Sequence, residues 1–114
     1  MRVLVCGGRA YGNGSRVNDT LFSIAAVEGI DVIIHGGAKG ADTLAGEWAR
    51  GHGGITCIVE YPDWNRYGPG AGSLRNTKML THKPDIVVAF PGGRGTSDMM
   101  RQARAAGIRV MEVV

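Results

Sequence analysis

Three short stretches of this 114-residue chain share a pattern that can hold an anion: VCGGRAYG at 5–12, IHGGAKGAD at 34–42 and AFPGGRGTSD at 89–98. In each, an apolar run gives way to paired glycines with a cation close by. The first supplies Gly7, Gly8 and Arg9, the second Gly36, Gly37, Lys39 and Gly40, and the third Pro91, Gly92, Gly93, Arg94, Gly95 and Thr96. Glycine lets backbone amides turn outward and lets a ligand approach the chain closely. A helix that starts just after such a loop adds the partial positive charge of its N-terminus, which makes phosphate the natural occupant. Each loop alone is as well explained by a tight strand-to-helix turn; three of them shift the reading to ligand binding.

Five apolar blocks and the segments between them must position these loops. RVLVC (2–6), DVIIH (31–35), ITCIVE (55–60), DIVVAF (85–90) and IRVMEV (108–113) read as strands, most of them continuous and β-branched, as strands buried on both faces are. Between them, Val17, Leu21, Ile24 and Ala25, and then Ala41, Leu44, Ala45 and Trp48, recur at helical spacing; Met99, Met100, Ala103 and Ala106 mark a further stripe that stops at Gly107. The alternation predicts an α/β fold, a single Rossmann-like doubly wound domain over 1–114 with a mainly parallel five-stranded sheet and right-handed crossovers. All strand ends then point to one edge, and the three glycine loops open onto one crevice there. Neither the dinucleotide spacing Gly-x-Gly-x-x-Gly nor the nucleoside-triphosphatase pattern Gly-x-x-x-x-Gly-Lys-Ser/Thr is present.

Other residues join the candidate set by position. Asp42 and Asp98 fall early in their helices, where a carboxylate either caps the helix or meets the ligand. YPDWNRYGPGAGSLRN reads as a long link whose Trp64 either stacks a base or packs beneath the link. Arg75 shares a helix face with Met79, a core residue by type, so it leans towards the crevice with Asn76 beside it. Lys39 and Arg94 either reinforce phosphate binding or are solvated loop charges. His35 ends a strand near the crevice, whereas His52 and His82 are expected on the surface; the three make neither a metal cluster nor a nucleophile–base pair.

The bulk properties narrow the classes. Glycine at 19 residues is more than twice the ordinary share of about 7%, which fits a chain built on such loops. A net charge of +3, carried by scattered cations, favours a small anionic ligand over a long polyanion. Cys6 and Cys57 lie inside apolar blocks, as inert thiols of a reducing compartment do, and no leader or membrane-length apolar run is evident, so a cytoplasmic protein is expected. No cofactor and no metal are expected.

The stretches VLVCGGR, IIHGGAKGADTLAGEWA, YPDWNRYG, AGSLRNTKML and VVAFPGGRGTSDM, in this order, resemble the SLOG superfamily of Rossmann-like nucleotide-binding domains, most closely its YspA-like, cpYpsA-related branch of actinobacteria and their phages. The resemblance implies a nucleotide or nucleotide-derived ligand, such as an ADP-ribose-like molecule, whose binding needs no catalytic carboxylate. It also implies a homodimer or higher oligomer with the site near the subunit interface. Cytokinin-activating phosphoribohydrolases of the same superfamily carry Pro-Gly-Gly-x-Gly-Thr-x-x-Glu and an Arg-bearing helix. The first motif matches Pro91, Gly92, Gly93, Gly95 and Thr96, and the Arg matches Arg75, but Met99 stands at the Glu position. N-glycosidic cleavage would then fall to Arg75 with Asp98 as a substitute carboxylate, and helical rotation of about 100° per residue keeps Asp98 from simply inheriting the Glu geometry. HGGAKGAD also resembles a stretch of DNA-processing proteins that bind single-stranded DNA. Ligand binding is the leading expectation, glycosidic hydrolysis the second, and single-stranded nucleic-acid binding the third.

Overall fold

The computed structural model describes all residues, 1–114. Strands β1 (Arg2–Cys6), β2 (Val32–His35), β3 (Thr56–Val59), β4 (Ile86–Ala89) and β5 (Arg109–Glu112) form one sheet in the order β3-β2-β1-β4-β5. Every neighbouring pair is parallel. Burial follows from place in the sheet: β4 is buried throughout and β1 and β2 nearly so, while the edge strands β3 and β5 are only half-buried. The two blocks with three consecutive β-branched residues, Val32 to Ile34 and Ile86 to Val88, both form interior strands.

Helices cover both faces. On one side α1 (Gly14–Glu28) and α2 (Ala41–Arg50) pack Val17, Leu21, Ala45 and Trp48 against Val3, Val5, Ile33 and Val88. On the other, α4 (Ala71–Leu80) and α5 (Arg94–Ala105) bring Met79, Met99 and Ala103 onto Leu4, Ile34 and Val87. The alternation of Val3 and Val5 with Leu4 and Cys6 is the period-two pleat, feeding one side chain to each core in turn. No helix is long and apolar enough to cross a membrane.

Two local expectations are corrected. The stretch after Tyr61 is not a plain link: α3 (Trp64–Tyr67) and a short 3-10 turn (Gly68–Gly70) lead directly into α4. Asp63 starts α3 by accepting a hydrogen bond from the Arg66 amide, and Pro69 sits where the 3-10 turn needs no amide donor. Ala106 is exposed, because α5 ends at Ala105 and Gly107, at φ 75°, turns the chain so that the Ile108 amide reaches Ala103.

Candidate functional site

The strand order places the three glycine loops on adjacent strand ends. β1 lies between β2 and β4, so the loops after β2, β1 and β4 sit side by side, and the sheet reverses its winding at β1. That switch point is where such sheets open a crevice. Here it holds a cavity of about 300 Å³ bordered by Gly7, Gly8, Arg9, Asp42, Trp64, Arg75, Asn76, Gly93, Gly95 and Thr96. A second chamber of about 220 Å³ is bordered by Arg9, Gly36, Gly37, Tyr61, Pro62, Trp64 and Arg75, and the two share Arg9, Ala38, Trp64 and Arg75. Lys39, Gly40, Pro91, Gly92, Arg94 and Asp98 lie outside both linings.

The glycine loops differ in what they offer. After β2, the Gly36 and Ala38 amides donate to Asp42 Oδ2 at 3.1 and 3.2 Å, and the Gly37 amide donates to His35 Nδ1 at 3.0 Å. All three amides are taken, so this loop is a clamped turn and not the amide cradle expected of it. After β1, the Gly8 amide is bonded to the Pro91 carbonyl at 2.9 Å, which ties the first and third loops together. After β4 the situation is reversed. Gly93 caps α5 without a side-chain hydrogen bond, and the first intrahelical bond runs from the Ser97 amide to the Gly93 carbonyl. The Arg94, Gly95 and Thr96 amides precede that bond and have no partner, and an N-terminus in this state attracts anions.

Arg75 joins the two sides of the crevice. Its Nη1 donates to the Gly36 carbonyl at 2.6 Å and its Nε to Asn76 Oδ1 at 3.1 Å, while Asn76 Nδ2 donates to the Gly95 carbonyl at 3.1 Å. The guanidinium thus links the clamped turn to the first turn of α5. Burial, and to a lesser degree the Arg9 charge, push its pKa below the usual arginine range, against the pull of Asp42. No carboxylate lies within ion-pair distance of it. Arg9 on the rim is exposed.

The two aspartates have separate fates. Asp42 is 5% exposed; its side chain holds the Gly36–Ala38 turn and caps no amide of its own helix. Burial raises its pKa, although the bonds from Ala38 and Gly36 and the Arg75 charge oppose this. Asp98 lies in the seam between α4 and α5, where Ser73, Asn76, Gln102 and Arg101 all donate to it. Its burial disfavours the charge, but those four partners outweigh it and hold the carboxyl below its usual range. Asp98 is therefore a fastener between helices, and the substitute carboxylate expected at the crevice is not there. Met99 is fully buried in the core beneath α5.

Trp64 is 48% exposed and borders both chambers, so it does not pack beneath the link. Tyr61, an aromatic residue of the same link that could stack a base but was not singled out for the site, shares the second chamber; a methyl on Gly37, at φ 72°, would overlap its ring. Cys6, Gly72 and Met79 also border the first chamber unforeseen. Cys6 was legible as the last residue of β1, but Gly72 depended on where α4 begins. Burial pushes the Cys6 thiol up to about 12, so it lines the wall as an unreactive group. His82 is half-buried and bonded to Glu60 at 2.7 Å, not free on the surface. No cluster of His, Cys, Asp or Glu has an arrangement that could hold a metal ion.

His35 borders neither chamber; its role is to accept the Gly37 amide through Nδ1, which requires the neutral ring with its proton on Nε2. Burial lowers its pKa, with the Arg50 and Arg75 charges adding to the effect. The unfolded chain therefore takes up the proton first as the pH falls. The stabilisation is complete above about pH 6.5, the ordinary histidine value, and is lost as the pH drops towards the folded pKa. The thermal midpoint is expected to fall by a few degrees across this window. The substitution His35→Asn keeps an acceptor near the Nδ1 position without a titrating group, so that variant should show a flatter acid limb in melts run from neutral to mildly acidic pH.

Two comparisons with known proteins bear on the chain. Residues 1–67, from β1 to the end of α3, match the model of the YspA, cpYpsA-related SLOG family. The Gene 61 protein of Mycobacterium phage D29 is 39% identical, in an alignment covering 96% of this chain and 94% of that protein, and so extends across Arg75 and the loop after β4. No solved structure matches. With more than half of its length on the family model, this chain belongs to the YspA, cpYpsA-related SLOG family.

Proposed function

We propose that the protein binds a nucleotide or nucleotide-derived small molecule in the crevice. The phosphate sits at the first turn of α5, among the free amides of Gly95 and Thr96 with Arg75 and Arg9 beside it, and the base lies in the second chamber against Trp64 and Tyr61. The observation that carries this reading is Arg75: a half-buried guanidinium with no carboxylate partner, bordering the same cavity as an uncapped helix N-terminus. Both features are electrostatically incomplete without an anion. The exposed faces of Trp64 and Tyr61 supply stacking surface at the other end.

Binding without turnover is the better reading, because Asp98 is held in the α4–α5 seam and Met99 in the core. Family membership supports nucleotide-related binding or processing in general.

Thermal melts with nucleoside monophosphates, cyclic nucleotides and ADP-ribose, against inorganic phosphate as control, test the proposal. A ligand present at about 100 times its Kd stabilises the native state by about 2.7 kcal/mol. For a domain of this size that is a rise of several degrees. No rise with any nucleotide overturns the reading, and release of free base from a bound nucleotide would favour hydrolysis instead.

A further inference from the structure

We infer that Asp42 reads a sugar hydroxyl, so that the crevice takes a ribonucleotide in preference to the corresponding deoxynucleotide. This rests on the nucleotide reading above and adds to it the class of sugar.

The two oxygens of Asp42 are used unequally. Oδ2 accepts the Gly36 and Ala38 amides, whereas Oδ1 has no hydrogen-bond partner. Every side-chain nitrogen or oxygen sealed from solvent in this protein has a partner, so Oδ1 must keep access to solvent. The residue is 5% exposed, and it borders the crevice cavity of about 300 Å³. Oδ1 is thus an unpartnered acceptor on a side chain that is otherwise buried, opening into the crevice.

Clamping the turn gives no reason for this group to be a carboxylate. A single amide oxygen of asparagine can accept both backbone donors, without a charge being taken out of water. Arg75 offers partial compensation, since its charge favours ionised Asp42, but the two do not form an ion pair. What remains is a buried negative acceptor that suits a donor on the ligand and repels its phosphate.

A nucleotide carries such donors on its sugar and on some bases. With the phosphate at the α5 end and the base in the aromatic chamber, the sugar spans the region between them. Arg9, Ala38, Trp64 and Arg75 border both chambers, and among all the residues lining the two chambers Asp42 is the only carboxylate. The polarity of the cavity therefore sorts the ligand: donors of the protein face phosphate, and its one carboxylate faces hydroxyl. A site that satisfies its own buried acceptor through a ligand hydroxyl discriminates against the analogue without it, because the acceptor is then left unmet.

The test is equilibrium binding of AMP, GMP, CMP and UMP, each beside its 2′-deoxy and 3′-deoxy counterpart, to the intact protein and to Asp42→Asn. For the base that binds, loss of one of the two hydroxyls should weaken binding by about 10- to 100-fold, the range covered by a hydrogen bond to a charged group. In Asp42→Asn the ratio should shrink to about threefold, since the turn stays clamped and only a neutral amide faces the sugar. Equal binding of the ribo and both deoxy forms by the wild-type protein overturns the inference while leaving nucleotide binding intact. So does an Asp42→Asn protein that weakens all forms by one common factor, which is what mere compensation of Arg75 would produce. Binding of none of these nucleotides, nor of ADP-ribose, overturns both this and the function proposed above. Should Asp42→Asn fail to fold, the wild-type comparison still decides.

Discussion

Replacing Gly40 by alanine is expected to lower stability by about 3 kcal/mol or more, a large part of the roughly 5–15 kcal/mol that domains of this kind possess. Two independent penalties add. Gly40 has φ 79° and ψ −128°, a conformation that side chains avoid, and holding another residue in such a region costs about 1–3 kcal/mol. The new Cβ would also overlap the Gly8 carbonyl oxygen and stand 2.7 Å from that of Arg9, both of them backbone atoms. Relief requires the loop after β1 to move, and that loop is bonded to both neighbours through Ala41 and Pro91. Gly93→Ala should by contrast change stability by no more than about 1 kcal/mol, for Gly93 has φ −102° and a Cβ there meets nothing within 4 Å. Urea denaturation of both variants measures the difference through the midpoint at unchanged slope. A Gly40→Ala protein as stable as wild type would mean that the two loops are not packed as described.

This contrast shows what residue type alone could not convey. All three Gly-Gly loops look alike in the sequence, yet Gly8, Gly40 and Gly92 are glycine because backbone passes against backbone, Gly36 because Arg75 lies over it, and Gly93 and Gly95 stand open at the crevice. Clearance depends on which strands are neighbours, and strand order is a property of the whole fold. The strands themselves were legible because continuous runs such as IVVA are found where both faces are covered. Arg75 was legible too, since Met79 four residues on fixed the face of its helix. Asp98 was misplaced because its partners Ser73 and Asn76 belong to α4, a helix that meets α5 only in three dimensions. The division of labour within the loop after β2 was hidden for the same kind of reason. His35 and Asp42 turn its amides inward, and nothing in the spacing HGGAKGAD distinguishes an amide aimed at a ligand from one aimed at a neighbouring side chain.

Arg75→Ala is expected to weaken nucleotide binding on the order of 100-fold while the fold survives. The loss in affinity follows from removing one member of a charge-assisted contact made in a partly desolvated cleft, where truncation typically costs about 2–5 kcal/mol. The effect on stability should be smaller, at about 1–2 kcal/mol, because the bond to the Gly36 carbonyl is lost but an unpaired, half-buried charge close to Arg9 is removed with it. Arg75→Lys should restore little of the affinity. The guanidinium meets Gly36 and Asn76 through two separate nitrogens and still has N–H groups to spare, whereas an ammonium that reached the phosphate would abandon those supports. Loss of the Nε contact also frees Asn76, whose bond to the Gly95 carbonyl braces the first turn of α5, so the anion site would loosen as well as lose charge. Calorimetric titration beside a thermal melt separates the two quantities. Undiminished affinity in a folded Arg75→Ala protein would remove the anion site from this crevice, since the amides of α5 would then be holding phosphate without the one cation fixed to their support.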